Sequence, residues 1–168
     1  MSSLLVFIGK PAVGKSTLIS VALSTHVHVD VMPFVTKYEN KPGNSVSHEH
    51  TLLGYNDMYK HLDKELKSSR PIVLELGTNH SDLNVTHLKH LSLKHEVTIF
   101  LCTASIETSR KRAIERNNNM NQKALEERLS RDFPNSHTPL FANASLDFII
   151  LDMEKPLADN IKELQKHI

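Results

Sequence analysis

Apolar residues in this chain fall into short unbroken runs, separated by stretches where they recur every three or four positions. Leu4-Leu5-Val6-Phe7-Ile8, Ile72-Val73-Leu74-Glu75-Leu76, residues 96–102 and residues 146–151 are too short and too continuously apolar for surface helices, so they predict buried strands. Residues 27–31 alternate as Val-His-Val-Asp-Val and predict another strand, with Asp30 near its carboxyl end. Helical spacing appears after Thr17 (Leu18 to Leu23), and over about 50–67, where Leu52, Tyr55, Tyr59, Leu62 and Leu66 form one face that Gly54 weakens. Further helices are predicted over 81–94, 105–116 and 122–133 (Leu125 and Leu129 on one face), and at the end through Leu157, Ile161, Leu164 and Ile168, with Pro156 tolerable in the first turn. Residues 32–47, with Pro33, Pro42, Gly43 and Asn44, predict a loop, and 134–139 an irregular segment. Strands alternating with helices predict a three-layer α/β/α arrangement around a five-stranded parallel sheet, because parallel strands need crossovers that cover both faces. Ligands bind such sheets at the carboxyl ends of the strands.

At the end of the first predicted strand stands Gly9-Lys10-Pro11-Ala12-Val13-Gly14-Lys15-Ser16-Thr17, which fits G-x-x-x-x-G-K-[ST]. The motif carries weight here because it sits between a strand and a helix, the context in which it forms a phosphate cradle. Gly9 and Gly14 permit a backbone whose N–H groups converge on an anion, and Lys15 adds a point charge for the outer phosphates. Ser16 offers a hydroxyl to Mg²⁺, and the helix opening near Thr17 turns its positive dipole end to the same anion. The expected fold is therefore that of a P-loop NTPase, with the loop, Asp30, Glu75 and the segments after Cys102 and Leu151 converging on one rim.

Composition narrows the function. The 168 residues, 39% hydrophobic and 23% charged, suit one domain. A formal net charge of +1 disfavours a nucleic-acid or membrane surface and favours a small partner. Cys102 is the only cysteine, no basic signal segment is apparent, and no apolar run approaches the ~20 residues of a membrane span, so a soluble cytoplasmic protein is expected. No Asp is followed three residues later by Gly, so the D-x-x-G element of GTPase switches is missing. Asn40-Lys41-Pro42-Gly43 lacks the Asp of the N-K-x-D base-reading motif, and no Gly-Gly-Gln transporter signature occurs. The pairs His26-x-His28 and His48-x-His50 invite a zinc reading, but no spaced cluster completes a tetrahedral set.

With the phosphate loop and Arg112-Ala113-Ile114-Glu115-Arg116, the chain resembles the P-loop small-molecule kinases, the family of nucleoside-monophosphate, shikimate and gluconate kinases. The resemblance runs over 1–168 in element order, as a single kinase-like domain with a substrate-binding insertion over 31–70 and a short lid at 117–121. It implies ATP and Mg²⁺ as cofactors and a small-molecule phosphate acceptor: a nucleotide, nucleoside, sugar or hydroxy-acid. Arg112 and Arg116, four apart on a helix, share a face. By resemblance Arg112 stacks on adenine and Arg116 neutralises charge on the transferring phosphoryl group, the alternative being a solvated basic face paired with Glu107 and Glu115. Arg128 and Arg131 are the remaining arginines that could clamp phosphate near so short a lid. Asp30 is placed to accept the acceptor's proton, or else is a strand-end turn residue. Glu75 is placed to order Mg²⁺ or contact substrate. Thr36-Lys37 followed by Pro42-Gly43 has a weak likeness to the substrate loop of guanylate kinases. The different-class alternative is an NTP-hydrolysing regulatory protein without an acceptor; a polynucleotide-end kinase is the least favoured.

Overall fold

The computed structural model describes residues 3–39, 46–116 and 121–168. Five strands, β1 (Ser3–Gly9), β2 (Val27–Asp30), β3 (Ile72–Leu76), β4 (Glu96–Thr103) and β5 (Ile149–Asp152), form one all-parallel sheet in the order β2-β3-β1-β4-β5. The connecting helices are α1 (Lys15–Ala22), α2 (Met32–Thr36), α3 (His48–Glu65), α4 (Ser81–Ser92), α5 (Ile106–Glu115), α6 (Gln122–Leu129), α7 (Thr138–Asn143) and α8 (Leu157–Leu164).

Strand alternation divides the interior into two layers. On β1, Leu4, Val6 and Ile8 face a core with Tyr55, Met58 and Leu62 of α3, Leu88 and Leu91 of α4 and Phe141 of α7. Leu5 and Phe7 face the opposite core, with Leu18 and Ile19 of α1 and Leu164 of α8. Both faces of the central strand are thus buried, which explains its continuous apolar run. A third, small cluster of Ala113, Leu125 and Leu129, with Ala12 of the phosphate loop against it, fastens α5 and α6 to that loop. Side-chain caps mark where α3, α5 and α6 begin: Ser47 accepts from the His50 N–H, Ser105 from that of Thr108, and Asn121 from those of Lys123 and Ala124.

Two segments expected to be irregular are partly helical. Within 32–47, α2 occupies Met32–Thr36 with Pro33 in its first turn and Val35 buried. Within 134–139, Thr138 opens α7 with Pro139 in its first turn and Phe141 buried. Proline breaks a helix interior, yet a helix's first turn has no partner for the missing N–H, so both prolines are tolerated where they stand. Gly54, expected to weaken α3, is instead required there. A Cβ on it would lie 2.8 Å from the Phe34 carbonyl oxygen and 2.8 Å from the Val35 Cα, so its absence lets α2 lie directly on α3. β5 is shorter than expected, beginning at Ile149; Leu146 is buried, and its N–H donates to the Phe141 carbonyl instead of joining the sheet. α6 ends at Leu129, ahead of Phe133. Pro42-Gly43 and lid residues 117–120 lie outside the described residues. Among the described residues no helix is long and apolar enough to cross a membrane.

Candidate functional site

Register brings the predicted site together. Ile8 lies beside Leu76 and Asp30 beside Glu75, so the ends of β1, β2 and β3 open onto one rim. The phosphate loop leaves β1 there. Gly14 takes φ 109° and Ala12 φ 59°, the left-handed turns that curl the chain into the first turn of α1. Gly9 has a different reason to be glycine: a Cβ would sit 2.6 Å from the Cys102 carbonyl oxygen of neighbouring β4.

The loop's two lysines point apart. Lys15 is buried, and its Nζ donates to the carbonyls of Gly9 and Lys10, both at 2.9 Å. Burial lowers its ammonium from the ordinary value, with the charge of Glu75 opposing. Lys10 donates its Nζ to the Leu129 carbonyl at 2.7 Å, so its side chain ties the loop to α6 and its backbone faces the cradle.

Glu75 is the centre of a short network. Ser16 Oγ donates to Glu75 Oε1 at 2.8 Å, and His28 Nε2 meets Oε2 at 3.0 Å. Burial alone would raise the Glu75 carboxyl, but the His28 hydrogen bond and the Lys15 charge outweigh it and hold the group below its usual range. The same hydrogen bond raises His28. Ser16 and Glu75 therefore present hydroxyl and carboxylate oxygens together, a donor set that fits Mg²⁺, whose remaining positions phosphate oxygens and water would fill. Asp30 Oδ1 accepts the Met32 N–H at 2.9 Å, and burial raises its carboxyl. It is thus a turn residue and a cavity residue at once.

Arg112 and Arg116 share the expected face and reach the same loop from α5. Arg112 donates from Nη1 to the Val13 carbonyl at 2.7 Å and from Nη2 to the Met153 carbonyl at 2.9 Å; Arg116 Nη2 donates to Thr17 Oγ1 at 2.9 Å. The carboxylate pairs on this helix belong to its other cations, Arg110 with Glu126 and Lys111 with Glu115.

Two cavities flank the loop, and a third adjoins one of them. One of about 230 Å³ lies between Lys15, Ser16, Asp30, Glu75 and the two arginines Arg128 and Arg131. A second, of about 180 Å³, lies on the other flank, between Val13, Thr17, Arg112, Arg116 and Met153. A third, of about 170 Å³, shares Asn79, Arg128 and Arg131 with the first and adds His48 and His80. The loop thus separates a space facing Asp30 from a space facing Arg112.

The fold that carries these residues is similar to known structures. The model of the 50S ribosome-binding GTPase family matches residues 4–74. A sugar kinase from a Janibacter species superposes with TM-score 0.70 at 12% identity, covering 99% of this chain and 94% of that one. A structure described as a putative kinase, from Chloroflexus aurantiacus, gives 0.65 at 17%, with 99% and 98% covered. Shikimate kinase from Acinetobacter baumannii, in complex with shikimate, gives 0.62 at 16%, with 99% and 92% covered. The fold is that of a P-loop NTPase. Solved P-loop kinases share it over nearly the whole chain, so the resemblance stated from the sequence holds at the level of the fold. No curated protein matches.

Several residues around the P-loop were not assigned from the sequence. His28 was singled out only as half of a zinc pair, and it contacts Glu75. Tyr55 and Asn79 line the Asp30 cavity, and the Met153 carbonyl holds Arg112. A backbone carbonyl carries no side-chain signal, so no reading of residue types could have found that last contact.

Proposed function

We propose that this P-loop protein is a kinase that transfers the γ-phosphoryl group of ATP to a hydroxyl of a small-molecule acceptor. The observation that carries the reading is that Lys15, Ser16 and Asp30 line one cavity while Arg112 and Arg116 reach the same loop from its other flank. The two spaces accommodate an acceptor and a nucleotide meeting at the loop.

In this reading Lys15 exchanges the two carbonyls it now holds for outer phosphate oxygens, bringing a charge that water cannot screen well. Ser16 and Glu75 are the residues that would hold Mg²⁺, the hydroxyl as a ligand and the carboxylate directly or through water. The metal, when bound, neutralises charge on the phosphate oxygens. Asp30 orients the acceptor hydroxyl, and takes its proton as the new O–P bond forms and the bridging P–O bond to the departing ADP breaks; the proton then passes to solvent. Burial raises Asp30, which favours accepting a proton late in a loose transition state. Arg112 flanks the base, and Arg116 faces the phosphate chain beside Thr17. The setting in this reading is cytoplasmic, since Cys102 is the only cysteine and forms no intramolecular disulfide.

The test is a screen of purified protein with ATP and Mg²⁺ against pooled nucleosides, nucleotides, sugars and hydroxy-acids, with Lys15→Ala as control. Phosphorylation of one pool supports the kinase. The match to a GTPase family model favours a second reading, acceptor-independent hydrolysis by a regulatory protein, although D-x-x-G is missing. Hydrolysis unchanged by every pool would select that reading.

A further inference from the structure

Glu75 is gripped from two sides, and the grips come from different elements. Its Oε1 accepts from Ser16 Oγ at 2.8 Å, in the first turn of α1, and its Oε2 lies 3.0 Å from Nε2 of His28, on edge strand β2. A carboxylate only accepts, so Nε2 carries the hydrogen and donates it. Register explains the reach. Asp30 lies beside Glu75 and His28 beside Val73, so alternation puts all four on one face of the sheet, the face where Val73 packs with Leu18 and Ile19 of α1. His28 is there the diagonal neighbour of Glu75.

His28 touches the carboxylate from outside the site. The cavity that Lys15, Ser16, Asp30 and Glu75 share takes no wall from it. Its side chain is 35% exposed against 9% for Glu75, so the ring is not needed to fill the core. Asp30 has an anchor of its own in the Met32 N–H, which leaves His28 to serve Glu75.

The last torsion of a glutamate is broad, so one hydrogen bond would leave the carboxylate free to turn. Two bonds, one to each oxygen, fix its plane. That matters because Ser16 and Glu75 are the residues placed to hold Mg²⁺, an ion that tolerates little departure from octahedral geometry. A hydroxyl that ligates a metal through its oxygen can still donate its hydrogen to Oε1, so the grip on Glu75 and metal binding are compatible.

We infer that His28 is a positioning residue for the divalent cation: its Nε2–H holds Glu75 Oε2 so that Oε1 stays directed at the Ser16 hydroxyl, and both oxygens are in place before a metal binds. The inference rests on the Mg²⁺ reading of Ser16 and Glu75 given above. It holds whether a small molecule or water takes the phosphoryl group.

The test titrates Mn²⁺, whose free form is read by electron paramagnetic resonance, into the whole chain saturated with ADP. ADP is titrated separately in EDTA, and thermal transitions verify folding. His28→Leu removes the donor, and His28→Asn keeps an amide too short to reach Oε2, so if one variant does not fold the other decides. His28→Gln places an amide N–H about where Nε2 stands. The Leu and Asn variants are expected to bind Mn²⁺ about tenfold more weakly or worse, the loss usual when the partner of a metal ligand is removed, with metal-free ADP affinity unchanged. His28→Gln should recover most of that loss, which a ring needed only for packing would not allow. Wild-type Mn²⁺ affinity without the donor, a loss that Gln does not recover, or an equal loss of ADP affinity in EDTA would overturn the inference. Ser16→Ala separates it from the metal reading. If Ser16→Ala weakens Mn²⁺ and the His28 variants do not, only the role of His28 falls; if Ser16→Ala also leaves Mn²⁺ unchanged, the Mg²⁺ site falls with it.

Discussion

At the scale of single residues, the site shows how the same side chain can serve the fold and the ligand. Lys15 is buried and bonded to two loop carbonyls, so Lys15→Ala removes a cation from the cradle and also leaves those carbonyls unmet. Phosphoryl transfer should be lost while the protein stays folded, with a stability loss of about 1–3 kcal/mol, readable by urea unfolding. A near-wild-type rate at normal Mg²⁺ would dismiss the cradle. Arg112 and Arg116 separate more cleanly. Arg116 touches the protein at Thr17 Oγ1, so Arg116→Ala should leave stability nearly intact and lower kcat by about a hundredfold or more, as when a donor to transition-state charge is removed. Arg112 holds two backbone carbonyls from different segments, so Arg112→Ala should raise KM for ATP and also lower the thermal midpoint. Steady-state kinetics beside melting curves check both, and two variants indistinguishable from wild type would leave α5 as a mere surface helix.

At the scale of elements, the sequence was most legible where periodicity and burial agree. Every expected strand and all six expected helices appear, the strands because runs such as Leu4–Ile8 cannot be placed anywhere but inside a two-faced sheet. It was least legible where a residue's local preference is overruled by its neighbour in space. Pro33 and Pro139 read as punctuation and are first-turn residues; Gly54 reads as a weak point in α3 and is the place where α2 touches it. The same division holds around the loop. The phosphate loop, Asp30 and Glu75 stand out by type and position and Arg112 and Arg116 by resemblance, and the fold gathers them about one loop, whereas the His28 contact to Glu75 depends on strand order, which spacing does not encode. Gly54 gives a sharp test. Alanine is about 1 kcal/mol better than glycine inside an exposed helix, so propensity alone predicts stabilisation by Gly54→Ala. The added Cβ would meet backbone atoms at 2.8 Å, which a side-chain shift cannot relieve, so a net destabilisation of about 1–3 kcal/mol is expected in denaturant unfolding. A gain in stability would show that α2 does not lie on α3 in solution.

At the scale of the whole molecule, imidazoles partly or wholly withdrawn from water tie stability to pH. His26, His80, His87 and His137 are all lowered, each chiefly by burial, while His28 alone is raised. His137 is the most enclosed of the lowered four at 3% exposed, with its ring 4.9 Å from Phe133 and 6.4 Å from Phe141, and with Nε2 lacking a partner among the described residues. A histidine whose folded value is depressed stays neutral in the native state while the unfolded chain takes up a proton. Its share of stability is therefore intact above the unfolded value of about 6.5 and is lost as pH falls from there toward the folded value. The raised His28 works in the opposite sense, since its contact with Glu75 is strengthened by the proton, and it stands against four lowered groups. The urea midpoint should accordingly fall between pH 7 and pH 5, before ordinary carboxylates begin to titrate. His137→Leu keeps the apolar contacts with Phe133 and Phe141 and removes the titrating ring, so the decline should be shallower in that variant. Burial is the main cause, and the charge of Arg131 adds to it, so a proton on His137 would place a second cation beside Arg131 and oppose native packing further. An acid decline of equal steepness in wild type and His137→Leu would transfer the effect to the other lowered histidines and exclude His137 as its main source.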